Sequence, residues 1–182
     1  MTTIVALQHD WGVEFGSDSL VTANRKYSDV RMTKINKRGQ FIIAGSGLSS
    51  YCDVAQHIWN PPAPSAADKK DLYHFMIAKV IPSLKQEFKD NDLEIKSDKD
   101  DEPRFAFLIA ICGEVFDVAD DFAISLTDSG LYGVGSGSSF ALGALAAGAS
   151  VEKALEIAAD FDPYSAHPFA FIEQEKPHSP RS

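Results

Sequence analysis

Residues 2–19 read TTIVALQHDWGVEFGSDS, and this stretch gives the first indication of the fold. Side chains alternate between two faces over its first seven residues, and glycines punctuate a second apolar segment after Trp11. Both patterns are typical of short β-strands. Further on, the unbroken apolar run Phe41–Ala44 predicts a strand that is buried on both faces, as in the centre of a sandwich.

Beyond this strand-rich region, the spacing of apolar residues is typical first of helices, then of strands, and then of helices again. Helices are predicted over Leu48–Trp59 and Asp68–Phe88, and Pro82 predicts a break in the second helix near Ile81. Strand patterns then return, over Phe105–Cys112, Glu114–Ala119, Phe122–Leu126 and Leu131–Val134. The chain closes with helices and one further strand, over Ser138–Ala147, Val151–Asp160 and His167–Gln174. This grouping argues against a parallel sheet and favours an α+β fold of antiparallel sheets with helix pairs outside.

The chain is predicted to form one domain over residues 1–182, with 176–182 as a flexible tail. The mostly charged residues 89–104 predict an exposed loop. Trp59 and Tyr73 are interpreted as exposed apolar side chains on the first two helices.

Composition excludes several classes of protein. Asp and Glu number 26 against 17 Lys and Arg, so the net charge of −9 disfavours both nucleic acid and membrane surfaces as partners. No apolar run is long enough to cross a bilayer, and the start lacks the pattern of a signal peptide, so a cytoplasmic location is expected. Cys52 and Cys112 are interpreted as buried thiols of a reducing compartment.

Thr2 directly follows Met1, and a small second residue normally permits removal of the methionine. A hydroxyl is a weak nucleophile that needs a base, and a free α-amino group on the same residue can serve as that base. Taken alone, this feature does not distinguish a nucleophile from an ordinary N-terminus.

One charged residue follows a predicted strand, and another lies within one. Asp18 follows Gly16-Ser17, where a carboxylate usually forms a turn, and Lys34 lies in the short predicted strand Thr33–Asn36, where a lysine usually guards a sheet edge. If Lys34 is instead buried beside Asp18, it can hold a hydroxyl in place and lower the energy of its alkoxide.

The segment Gly133–Ser138, GVGSGS, joins a predicted strand to a predicted helix. Glycines at such a junction are compatible with a phosphate-binding loop. However, the Gly-Lys-Ser/Thr of a P-loop is missing, and Ser138 stands where the dinucleotide motif requires glycine. A nucleotide site is therefore not predicted.

Together these features resemble the proteasome β-subunit family, and especially its HslV-type bacterial peptidases. The matching segments follow one another in the order TTIVAL (2–7), GSDSLVT (16–22), RMTKI (31–35), IAGSG (43–47) and GVGSGSSFALGAL (133–145). Asp162-Pro163-Tyr164-Ser165 fits the Asp-x-x-Ser element of that family. The resemblance implies a four-layer αββα sandwich of the N-terminal nucleophile hydrolase type and a threonine-type peptidase.

The resemblance also implies a role for each matched residue. Thr2 would attack a peptide carbonyl, its own amine or Lys34 would take the proton, and Asp18 would keep Lys34 charged and oriented. The backbone N–H of Gly47 would stabilise the oxyanion and contact substrate. Ser136, Asp162 and Ser165 would orient the amine of Thr2. Val21 and Thr22 would bind substrate.

The implied partners are peptides or unfolded polypeptides, and twelve or fourteen copies of the chain in a double ring. An ATPase unfoldase is a candidate regulator, and no cofactor is expected. Whether a cation binds near Asp162, as in some relatives, stays open. Two other functions also stay open: a non-catalytic ring or scaffold subunit, and an N-terminal-nucleophile amidase acting on a small molecule.

Overall fold

The computed structural model of the chain describes residues 2–22, 26–27, 33–93 and 104–177. The strands in chain order are β1 Ile4–Gln8, β2 Gly12–Ser17, β3 Val21–Thr22, β4 Lys26–Tyr27, β5 Ile35–Arg38, β6 Phe41–Gly47, β7 Phe105–Ile111, β8 Glu114–Val118, β9 Ile124–Ser125, β10 Leu131–Val134 and β11 Ala170–Glu175. The α-helices are α1 Ser49–Asp53, α2 Leu72–Phe75, α3 Ile81–Asp90, α4 Ser138–Ala146 and α5 Val151–Phe161.

Two antiparallel sheets form the centre of the structure. The first has the order β10-β1-β2-β11, and the second has the order β5-β6-β7-β8-β9. In the first sheet Ile4 pairs with both Val134 and Ser17, so the beginning of β1 lies beside the ends of β10 and β2. β3 and β4 pair only with each other in the described part of the chain.

Apolar side chains fill three layers between these elements. Ile42 and Ala44 of β6 face the first sheet, whereas Phe41 and Ile43 of the same strand face α1 and α3. A third cluster packs α4 and α5 against the outer face of β1. The order is therefore helices, sheet, sheet, helices, which confirms the predicted αββα sandwich and the double burial of residues 41–44.

Both early helices contain π-helical turns that the sequence pattern does not reveal. α1 continues into the π-helical turn Val54–Ile58, and α2 continues into the π-helical turn Met76–Val80. Pro82 occupies the first turn of α3, but Val80 and Ile81 both keep right-handed helical dihedral angles. The π-helical turn therefore continues into α3 without the predicted break near Ile81. Residues 68–70 form a separate 3₁₀ turn before α2.

Some sequence-based boundaries and exposures are wrong. β5 begins at Ile35, so Lys34 precedes the strand instead of lying within it, and β11 begins only at Ala170 because Pro168 has no N–H for the ladder. Trp59 is fully buried, and its indole N–H donates to Ser83 Oγ at 3.0 Å. Tyr73 is exposed, as predicted.

Other predictions are only partly tested. Most of the charged segment 89–104, and residues 178–182 of the tail, lie outside the described residues. Cys52 is buried, whereas Cys112 is only half-buried. None of the helices within the described residues is long and apolar enough to cross a membrane.

Candidate active site

The site lies where the first residues of the chain enter the centre of a sheet. Thr2 and Thr3 immediately precede β1, and both are buried, with Thr2 6% exposed and Thr3 fully enclosed. Because β1 is antiparallel to both of its neighbours, the segments that follow β2 and β10 begin beside these threonines. Those segments carry Asp18 and Gly135.

Asp18 is bonded to the start of the chain and to Lys34. Its Oδ1 accepts from the backbone N–H of Thr3 at 2.8 Å and from Lys34 Nζ at 2.7 Å. Its Oδ2 accepts from the N–H of Leu20 at 3.0 Å, and Lys34 Nζ donates to Leu20 O at 2.8 Å. The side chains of Lys34 and Asp18 are only 4% and 0% exposed, so this is a buried ion pair.

Burial dominates the electrostatics of Lys34. It lowers the pKa of the ammonium group, although the charge of Asp18 and the hydrogen bond to it act in the opposite direction. A lysine whose pKa is lowered releases its proton more easily than a free lysine does. Lys34 is therefore better suited than an exposed lysine to exchange a proton with a neighbouring group.

The glycine-serine turn after β10 closes over the first two threonines. A Cβ at Gly135 would lie 2.0 Å from Thr2 O, and one at Gly137 would lie 2.0 Å from Thr3 Oγ1. Only glycine lets the backbone approach this closely. Ser136 Oγ lies 3.5 Å from Thr2 O and donates to Asp162 Oδ2 at 2.8 Å.

Asp162 and Ser165 complete a chain of polar contacts behind this turn. Asp162 follows α5, is buried, and accepts from the Ser165 hydroxyl at 2.6 Å and from the N–H of Tyr164 at 3.2 Å. Ser165 Oγ in turn lies 2.5 Å from Thr3 Oγ1. Thr3 was not predicted as a site residue, although a second threonine before an apolar strand was a signal in the sequence.

The remaining predicted residues lie at the edges of the site. Gly47 ends β6 with a φ of +117°, which favours glycine, and is followed by Leu48, whose N–H donates to Arg104 O. Ser46, which precedes it, has its hydroxyl 3.2 Å from the position of a Cβ on Gly135, so this strand end borders the glycine-serine turn. Val21 and Thr22 form β3, and their side chains lie outside the described part.

Two antiparallel sheets lie between layers of helices, and the buried Lys34–Asp18 pair lies beside Thr2 and Thr3; the layer arrangement is the fold shared by the N-terminal nucleophile hydrolases. No family model matches the chain, and no curated protein matches it by sequence.

Solved structures do match it. The chain is similar to BPH, a bacterial proteasome homologue from Thiobacillus denitrificans, with 21% identity and a TM-score of 0.72 over 97% of this chain and 99% of that one. The same protein in complex with epoxomicin gives 20% identity and a TM-score of 0.71, over 95% and 98%. HslV from Trypanosoma brucei gives 18% identity and a TM-score of 0.66, over 95% and 99%. The chain thus has the fold of the proteasome and HslV structures, which confirms the resemblance at the level of the fold.

The buried Cys52 thiol, whose thiolate form would be stabilised by the charge of Lys34, is nevertheless expected to be inert. Burial raises the pKa of its thiol to about 12, with a further rise from Asp53. At pH 8, iodoacetamide should therefore alkylate Cys52 about 10³-fold more slowly in the native protein than in the denatured chain, since the thiolate is the reactive form. Peptide mapping by mass spectrometry measures both rates, and comparable rates would show that Cys52 is open and activated.

Proposed function

We propose that this protein is a threonine-type endopeptidase that uses Thr2 as its nucleophile after removal of Met1. The observation that carries the proposal is the buried Lys34–Asp18 pair, which is hydrogen-bonded directly to the backbone of the residue after Thr2. The complex of BPH with the inhibitor epoxomicin supports a peptidase of the proteasome type.

In the proposed reaction, the Thr2 hydroxyl attacks a peptide carbonyl and passes its proton to the Thr2 amine, or to Lys34 when Lys34 is in its neutral form, which its lowered pKa favours. The tetrahedral intermediate collapses to an ester on Thr2, and the leaving amine takes up the proton. Water then hydrolyses the ester and restores the hydroxyl. Asp18 holds Lys34 in place. Ser136 contacts the Thr2 carbonyl, Ser165 contacts the Thr3 hydroxyl, and Asp162 accepts from both serines, so this group would orient the Thr2 amine.

The backbone N–H of Gly47 is proposed to stabilise the oxyanion of the intermediate. Loss of one such donor typically raises the barrier by ~2.7–4 kcal/mol. Gly47 lies at the end of β6, and β3 begins after Leu20, which contacts Lys34 through its carbonyl. A substrate chain bound in extended form between these two segments would pair with the backbone of Val21, Thr22 and Gly47.

The intact mass of the purified protein, combined with hydrolysis of fluorogenic peptides, tests the proposal. The expected result is a mass without Met1 and measurable turnover. A retained Met1 blocks the amine, so a preparation that keeps Met1 and is still fully active would contradict the mechanism.

A purely structural ring subunit is a weaker explanation of the same site. Burying two charges carries a large desolvation penalty, and a well-packed apolar pair usually stabilises a fold as well or better. A chamber wall has no need of the Lys34–Asp18 pair, whereas an activated hydroxyl does.

We further propose that the protein assembles through α4 into a double ring located in the cytoplasm, where an ATPase unfoldase would deliver unfolded substrates. After Ser138 and Ser139, every residue of α4 is apolar or glycine, although several of them are exposed. Phe140 and Phe161 are 44% and 67% exposed and stack with their ring centroids 5.8 Å apart, and a Cβ at Gly143 would meet no neighbouring atom. Exposed aromatic rings beside an open, small-residue helix surface are suited to contact with a second copy of the chain.

A particle of twelve or fourteen copies of the 19.8 kDa chain is expected to have a mass of about 240 or 280 kDa. Replacing Phe140 by glutamate should reduce this mass, because a charge would be buried in the proposed contact. Light scattering at fixed protein concentration measures the particle mass of the wild type and of Phe140→Glu. Phe171→Glu is the control, because it changes an exposed phenylalanine of β11. An active wild-type particle of 20 or 40 kDa would contradict the ring.

A further inference from the structure

The backbone carbonyl of Lys34 is held from two sides. The N–H of Gly45 in β6 donates to it at 3.0 Å, as expected for neighbouring strands. The side-chain amide of Gln56 also donates to it, at 2.9 Å. Gln56 is 1% exposed and belongs to the π-helical turn Val54–Ile58, so the second bond joins the helical layer to the segment that carries Lys34.

The same turn is bonded to the residues that follow Lys34. Asn36 Nδ2 donates to Gln56 O at 2.8 Å, so Gln56 and this segment are linked in both directions. Arg38 Nε donates to Trp59 O at 3.0 Å, directly after the turn. These contacts join β5, the last strand of its sheet within the described residues, to the helical layer. Single π-helical turns of this kind are frequent at functional sites.

Gln56 carries an energetic cost that packing alone does not explain. Its Oε1 is buried and has no hydrogen-bond partner among the residues that the structure describes. A buried acceptor without a partner lowers stability, and an apolar side chain of similar length would avoid the loss. An amide at this position is therefore explained by its other end, the Nε2 that donates to Lys34 O.

We propose that Gln56 is a positioning residue for Lys34. By fixing the carbonyl, it fixes the backbone from which the Lys34 side chain extends to Asp18 Oδ1 and Leu20 O. Gln56 contacts no reacting atom and acts only through Lys34. This inference rests on the proposed peptidase function, in which Lys34 must meet Thr2 in one geometry.

The variant Gln56→Met tests this inference, because methionine keeps the length and apolar volume and removes the amide. The expected result is a kcat that falls about 10- to 100-fold, since small displacements of catalytic groups have effects of this size. KM should stay unchanged because Gln56 does not contact substrate, and the melting temperature should stay the same or rise because the unpaired Oε1 is gone. Ile58→Met is the matched control, since this exposed side chain lies on the same turn.

Two outcomes separate this inference from the proposed function. If wild type hydrolyses peptides and Thr2→Ala does not, but Gln56→Met has the wild-type kcat, the peptidase stands and the inference about Gln56 is wrong. If wild type hydrolyses no peptide, crystal structures of the wild type and Gln56→Met decide instead. The distance from Lys34 Nζ to Asp18 Oδ1, 2.7 Å in the structure, is expected to lengthen in the variant. An unchanged distance would overturn the inference in either case.

Discussion

Replacing Thr2 by alanine is expected to abolish peptide hydrolysis, with a loss in kcat of roughly 10³-fold or more, as for other removed nucleophiles. The variant should remain folded. The Ser136 hydroxyl contacts Thr2 through the backbone carbonyl, which alanine retains, and Thr3 keeps its bond to Asp18. Turnover of a fluorogenic peptide and the melting temperature should be measured on the same preparation.

Thr127→Ala is the matched control for this experiment. Thr127 is exposed and lies between β9 and β10, so the same chemical change is made away from the site. It should leave kcat unchanged. Undiminished turnover in Thr2→Ala would show that the threonine mechanism is wrong.

Replacing Lys34 by alanine is expected to reduce both activity and stability. Removal of one partner leaves Asp18 as a buried carboxylate without a counter-charge, and such changes lower the free energy of unfolding by ~3–5 kcal/mol. Activity should fall because Lys34 also joins Asp18 to the segment around Leu20. Calorimetry at fixed protein concentration, together with the peptide assay, measures the two effects.

Lys79→Ala provides the comparison for the loss of an ion pair. Lys79 pairs with Asp68 at 2.8 Å, but its side chain is 52% exposed, so its removal should affect stability far less. The double variant Asp18→Asn, Lys34→Ala should regain part of the stability without regaining activity, because the unpaired charge is gone. A Lys34→Ala protein that is active and as stable as wild type would contradict the buried pair.

The layered fold could be predicted because its strands carry clear patterns. The apolar run Phe41–Ala44 indicated burial on both faces, and its side chains divide between two clusters as expected. Ser150 precedes α5, where serine is a common start signal for a helix, and its hydroxyl accepts from the N–H of Lys153 at 3.2 Å.

Features that depend on tertiary contacts could not be predicted in the same way. The π-helical turns have the same apolar spacing as ordinary helices. The hydrogen bond from Gln56 to Lys34 O therefore becomes visible only when the segment before β5 is placed beside the turn. Trp59 looked like a surface residue because the sequence does not show that Ser83 of α3 supplies its partner. For the site, Asp18, Lys34 and the glycine-serine turn were predicted, whereas the place of Thr3 became visible only through its contacts with Asp18 and Ser165.

The turn Gly135–Ser138 recognises the main chain of residue 2. Gly135 approaches its carbonyl carbon and oxygen, and the Ser136 hydroxyl faces the same oxygen. Since every amino acid carries this carbonyl, these contacts do not select for the side chain of residue 2. The side chain that the proposed mechanism uses as its nucleophile is therefore held through its main chain, and serine or cysteine, which are no larger than threonine, would keep the same contacts. A change of the proposed nucleophile at residue 2 therefore requires no accompanying change in the fold.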